Sequence, residues 1–212
     1  MYNRKKIDRG VYLIIDPQME RNKLLKKLKA CLTMPLSAIQ IWDHFKPGSN
    51  PDRFVEDILK LLDGKPVPLL INNRWELLRS HALDGVHFDH IPEDLQDIRS
   101  DIARPFICGL TCQNDLREIA RAETLQMDYL SFCSMFPSET AQSCELVDFS
   151  SVKRAAQIFS GQLFLAGGIR PENLAALDSL PYDGIAVISG IMSSAQPAKQ
   201  IQTYLQHKPI KI

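Results

Sequence analysis

The stretch Leu163-Phe164-Leu165-Ala166-Gly167-Gly168-Ile169, followed by Gly184-Ile185-Ala186-Val187-Ile188-Ser189-Gly190-Ile191-Met192, decides the fold. Each is a short apolar strand that runs into small residues where a helix should begin. Glycine lets a backbone approach a ligand closely. A helix start offers unpaired N–H groups and partial positive charge. Two such turns side by side make a phosphate cup, and in a (β/α)8 barrel that cup usually follows strands seven and eight.

Working outward, the same unit recurs upstream. Strands are predicted over Val11–Ile15, Ala38–Ile41, Val67–Ile71, Gly85–Phe88, Phe106–Leu110, Tyr129–Phe132, Leu163–Ala166 and Ile185–Ile188. Helical patterns are predicted over Asn22–Cys31, Pro51–Leu62, Asn73–His81, Asn114–Glu123, Phe149–Phe159, Pro171–Leu177 and Ala195–Gln206. Pro51 suits a first helical position, and Asp115 with Glu118 suits a helix start. Alternating strand and helix implies a parallel sheet with right-handed crossovers. Eight units predict an α/β fold, a single-domain (β/α)8 TIM barrel over residues 1–212; an open doubly wound sheet is the runner-up. The longest connection, Cys133–Asp148, follows the sixth strand and reads as a binding loop.

Composition narrows the class. The chain has 212 residues, 45% hydrophobic and 24% charged, with zero formal net charge. This is a globular profile with no basic excess for nucleic acid. No long apolar run reads as a signal peptide or a membrane span, so a cytoplasmic protein is expected. The five cysteines lack C-x-x-C spacing and read as reduced thiols. No His, Asp or Glu cluster has metal-ligand spacing, so no metal site is expected.

Barrel chemistry comes from the C-terminal ends of strands. There the sequence places Gln40, Trp42, Asp43 and His44, then Asn72 and Asn73, Asp89 and His90, and Thr111, Cys112 and Gln113. Cys133, Ser134, Ser138, Glu139 and Thr140 follow the sixth strand, and Gly167, Gly168, Ser189 and Gly190 follow the last two. Each has a plain reading as well. Asn72 and Asn73 would cap a helix, His87 would be a satisfied core imidazole, and Cys112 has no adjacent base to activate it.

Six ordered motifs resemble thiamine phosphate synthase and its TenI-like relatives. Leu70-Ile71-Asn72-Asn73-Arg74 resembles I-N-D-R, and Asp84-Gly85-Val86-His87-Phe88 resembles D-G-V-H-L. Gly109-Leu110-Thr111 resembles G-x-S, and Met135-Phe136-Pro137-Ser138-Glu139-Thr140 resembles V-F-P-T-x-T. Ala166-Gly167-Gly168-Ile169 with Asn173, and Val187-Ile188-Ser189, complete the set.

The resemblance implies a ligand that is a small phosphorylated heteroaromatic molecule. It implies a phosphate cup of Thr111, Ser138, Thr140, Gly167, Gly168, Ser189 and Gly190, and a substrate pocket of Gln40, Trp42, His44, Asn72 and Asn73. It leaves a homodimer open. The synthase joins a pyrimidine diphosphate to a thiazole phosphate and releases pyrophosphate.

The chain departs where that step needs cations. Trp42 and His44 stand where the family has arginine and lysine. Asn73 replaces a magnesium aspartate, Pro92 falls at the second one (Glu93 or Asp94 could replace it if the loop shifts), and Ala141 replaces a lysine. Gln113 holds the place of the TenI-like catalytic histidine and cannot titrate. His44, His90 and Gln113 are the weak catalytic candidates, the two histidines because histidine titrates near neutrality. No base is assigned.

The expected function is therefore a diverged TenI-like protein of thiamine metabolism that binds a thiazole-phosphate-like molecule and needs no cofactor. One alternative is thiamine phosphate synthase itself, with Mg2+. The other is a non-catalytic phosphate-ligand binding or regulatory protein.

Overall fold

The computed structural model of the chain describes residues 5–138 and 145–207. Eight parallel strands close into a barrel in sequence order. They are β1 (Gly10–Ile15), β2 (Ala38–Ile41), β3 (Leu69–Asn72), β4 (Gly85–Phe88), β5 (Ile107–Cys112), β6 (Tyr129–Cys133), β7 (Gln162–Ala166) and β8 (Gly184–Val187). The single-domain (β/α)8 TIM barrel is therefore correct, and every predicted strand is present.

Helices α1 (Arg21–Cys31), α2 (Pro51–Leu61), α3 (Leu95–Ile102), α4 (Leu116–Thr124), α5 (Phe149–Ile158), α6 (Ser189–Met192) and α7 (Pro197–Gln206) form the outer layer. Local chemistry sets their starts. Asn50 accepts the Arg53 N–H ahead of Pro51, and Asp115 accepts the Arg117 N–H at the head of α4.

Three helix expectations need correction. The stretch predicted as helix over Asn73–His81 holds only a 3-10 turn, Trp75–Leu78, and Pro171–Leu177 is also 3-10. Helix α3 was not expected. Its Leu95, Ile98 and Ile102 face the barrel, but this apolar spacing covers only two turns of a strongly charged segment.

Strand side chains alternate between two cores. Val11, Leu13 and Ile15 point out beneath the helices, whereas Tyr12 points in with Ala38, Leu70, Ile107, Tyr129, Phe164 and Ala186.

The lower rim is tied by a repeated device. Asp84, Asp128 and Asp183 each sit one residue before a strand. Each carboxylate accepts a backbone N–H from the preceding strand, of Leu69, Cys108 and Leu163 respectively. Lys5 and Arg9 add ion pairs to Asp84 and Asp183. In this fold such contacts at the lower rim serve stability, and chemistry belongs to the upper rim.

Candidate functional site

The upper mouth holds a cavity of about 550 Å³, within the ~300–1,000 Å³ usual for small-molecule sites. Its lining follows from the two-residue period. Tyr12 and Ile14, Gln40 and Trp42, Asn72, His87 and Asp89, Thr111 and Gln113, Ser131 and Cys133, and Phe164 and Ala166 are the inward members of their strands or strand ends.

One side of the cavity is the cup. Gly167, Gly168, Ser189, Gly190, Thr111 and Ser138 all line it. Gly167 has φ +83° and Gly168 has φ +66°. A Cβ on Gly168 would stand 2.6 Å from the carbonyl oxygens of Phe136 and Pro137. Only glycine fits there, and the turn therefore stays narrow and backbone-lined. Thr140 lies outside the described residues. Arg170, unexpected from sequence, also lines the cavity. Among the described lining residues it is the only Arg or Lys, so it is the fixed positive charge available to an anion.

The opposite side is built from β2, β3 and β4. Trp42 is half-buried and lines the cavity. Its ring packs on His44 with centroids 4.3 Å apart and planes tilted by 36°.

Two residues expected in the pocket do not line it. His44 turns to Asp16, its Nδ1 3.2 Å from each carboxylate oxygen. Asn73 follows inward-facing Asn72 and so falls on the other parity. It adopts φ +56°, its Nδ2 donates to Asp89 at 2.8 Å, and its Oδ1 accepts the Asp89 N–H at 3.0 Å.

Neither asparagine caps a helix. The Asn72 amide donates to the His87 carbonyl at 3.1 Å and to Asp89 at 3.0 Å, and it accepts the Asp43 N–H at 3.3 Å. It therefore staples three strand ends together.

These bonds decide whether Mg2+ fits. Mg2+ is usually held by one or two carboxylates together with waters and substrate phosphates. Both polar atoms of Asn73 are used on Asp89, and both Asp89 oxygens accept amide donors. Pro92 offers no side-chain donor atom. Among the described residues no three His, Cys, Asp or Glu are grouped to hold a metal. Positions 73 and 92 hold no carboxylate, and the carboxylate beside them, Asp89, is bonded to both asparagines, so the residues present fit a carboxylate-held Mg2+ poorly.

Burial shifts several titratable groups at the site. His87, 4% exposed, is pushed down to about 4, mainly by burial and partly opposed by the Asp89 charge. It is therefore neutral at pH 7. Glu118 lines the cavity from the first turn of α4, where burial raises its carboxyl and His90 partly offsets this. Burial pushes the Cys112 thiol well up, which keeps it protonated and inert. His90 and Gln113 both line the cavity.

Sequence reading placed His87 in the core and missed its second face. Its Nε2 is 2.9 Å from Thr111 Oγ1, inside the cup. The signal was present in the alternation, because His87 shares parity with Asp89.

A family model described as thiamine monophosphate synthase matches residues 11–191. A thiamine-phosphate synthase of Nitrosococcus oceani is 26% identical over 202 residues, covering 95% of this chain and 93% of that protein. One from Clostridioides difficile is 25% identical, covering 92% of each. Among solved structures, a thiamine phosphate pyrophosphorylase from Pyrococcus furiosus superposes with a TM-score of 0.76 at 22% identity, covering 96% of each chain. A tryptophan synthase alpha-subunit from the same organism gives 0.72 at 12% identity, covering 96% of this chain and 98% of that one. These two structural likenesses show the barrel alone. Among the described residues no helix is long and apolar enough to cross a membrane.

Proposed function

Because the chain belongs to the thiamine monophosphate synthase family, we propose that its barrel mouth binds a small heteroaromatic monophosphate of the thiazole phosphate type. In this reading it is a diverged, TenI-like member with little diphosphate chemistry. The observation that carries the reading is the Asn73–Asp89 pair. It puts a neutral amide where the resemblance places a magnesium aspartate, and ties the neighbouring carboxylate to that amide. Trp42 supports it, because an indole cannot clamp pyrophosphate as a guanidinium does. Displacing pyrophosphate builds negative charge, and losing one group that stabilises such charge typically costs about 3–4 kcal/mol of transition-state stabilisation. Several are replaced here.

The names of the relatives favour a second reading, thiamine phosphate synthase itself. One experiment separates the two. The unmodified protein is incubated with pyrimidine diphosphate, thiazole phosphate and Mg2+, beside a synthase that has the arginine, lysine and aspartates. The first reading expects no more than trace thiamine phosphate. Robust, magnesium-dependent turnover would replace it with the second.

A further inference from the structure

Beneath the cavity, five side chains join in one hydrogen-bonded chain across the barrel. The Tyr12 hydroxyl donates to Gln40 Oε1 at 2.8 Å. The Tyr12 and Tyr129 hydroxyls are 2.8 Å apart. Tyr129 Oη is 2.9 Å from His87 Nδ1, and His87 Nε2 is 2.9 Å from Thr111 Oγ1. Tyr12, Gln40, His87 and Tyr129 are all buried. Gly109 makes room for this path, because a Cβ there would collide with the Tyr129 ring. Both ends of the chain line the cavity, Gln40 beside Trp42 and Thr111 in the cup.

Proton counting leaves the chain two uniform states. Each tyrosine hydroxyl has one proton and two partners, so it must accept from one and donate to the other. Neutral His87 has one N–H and one acceptor nitrogen, and the partner of one nitrogen fixes the role of the other. In the first state Tyr12 donates to the Gln40 carbonyl, Tyr129 to Tyr12, His87 Nδ1–H to Tyr129, and Thr111 to His87 Nε2. In the second every bond is reversed. His87 carries its proton on Nε2 and donates to Thr111, and the Gln40 amide turns its NH2 to Tyr12. The proton count and the charge are the same in both.

We propose that this chain couples the two ends of the cavity: an anion that accepts a hydrogen bond from Thr111 reverses the chain and turns the Gln40 carbonyl toward the other half of the site. An unprotonated phosphate oxygen has only lone pairs, so when Thr111 bonds to one it must aim its single proton outward and accept from His87. Reversal then passes through Tyr129 and Tyr12 to Gln40. Phosphate occupancy at one end thus selects a ring that carries an N–H or amino donor at the other. His87, Tyr129 and Tyr12 act here as positioning residues.

This inference rests on the phosphate reading of the cup, and the test keeps the two apart. Protein labelled with 15N is titrated with inorganic phosphate and followed by NMR. Its His87 ring resonances are assigned by comparison with His87→Gln. Binding is read at the Gly168 and Gly190 amides. The expected result is an exchange of the protonated and unprotonated ring nitrogens of His87, with a shift of the Gln40 side-chain amide. In Tyr129→Phe the glycine amides should still respond while Gln40 stays still. Tyr12→Phe serves the same purpose if that variant fails to fold. Glycine shifts with an unchanged His87 tautomer would overturn the coupling alone. No response at the glycines at saturating phosphate would overturn the cup and the coupling together.

Discussion

The two sides of the barrel mouth have opposite character. The β7–β8 side is backbone-lined, with Gly167 and Gly168 at positive φ and Arg170 beside them. The β2–β4 side is closed in by side chains, with Trp42 against His44 and Asn72 and Asn73 holding Asp89. The first side is suited to an anion of any substituent, because backbone groups do not change with mutation. The second depends on side chains, and here those side chains satisfy each other. One half of the mouth thus presents open backbone groups, while the other is closed by side chains that bond to each other.

The largest expected effect comes from breaking the first side. Gly168→Ala forces a left-handed backbone and a clash with two carbonyl oxygens. It should lose roughly 2–5 kcal/mol of stability and all measurable phosphate binding. Urea unfolding and a phosphate titration would show both, and a well-folded Gly168→Ala protein with unchanged binding would end the claim that this turn is the cup.

Next comes the floor that joins the two sides. The free side chain of His87 titrates at 6.5, and the folded one is held down to about 4. The unfolded chain therefore binds a proton first. The contribution is full above 6.5 and is lost as pH falls toward 4, amounting to at most about 3–4 kcal/mol at roughly 1.4 kcal/mol per pH unit. Unfolding free energies at pH 7.5 and pH 4.5 should differ less in His87→Gln by about that amount. An identical difference in both proteins would mean that His87 is not held neutral.

Arg170 sharpens the comparison from the cup side. Arg170→Gln should weaken phosphate binding about tenfold through loss of a charge-assisted hydrogen bond, with unfolding almost unchanged. Calorimetry at low salt would measure it.

The smallest effect is expected from restoring only the clamp. Trp42→Arg with His44→Lys should leave magnesium-dependent turnover near its starting level, because Asn73 and Asp89 still occupy each other. Adding Asn73→Asp, with an aspartate in the Pro92 region, should raise it. A large gain from the clamp pair alone would show that the metal half was never lost.

Much of this was legible in the chain. The eight strands, and the small-residue turns after β7 and β8 that line the cavity, followed from apolar runs ending in small residues. Asn73 was misplaced because a strand-end residue was counted as facing the site by position, whereas alternation assigns Asn72 inward and Asn73 outward; His87 was read as a satisfied core imidazole, which it is, but its face on the cavity was missed. Gln40, Tyr12, Tyr129 and Thr111 could each be placed on an inward face from sequence, but their union depends on the stagger around a closed barrel. Register sets Asn72 against His87, His87 against Gly109, and Gly109 against Tyr129. No single strand carries that information. Helix α3 and the contributions of Glu118 and Arg170 were hidden for a simpler reason. Charged residues near a helix start read as solvated caps, and only the packed barrel shows that they reach the cavity.

In the proposed reading, monophosphate recognition and magnesium-held diphosphate recognition have separated in this site. Trp42 fluorescence tests it directly in a titration with thiazole phosphate and with pyrimidine diphosphate, each with and without Mg2+. Thiazole phosphate is expected to bind equally well in both conditions, and Mg2+ should not strengthen the diphosphate. Tight diphosphate binding that appears only with Mg2+ would mean that the two have not separated.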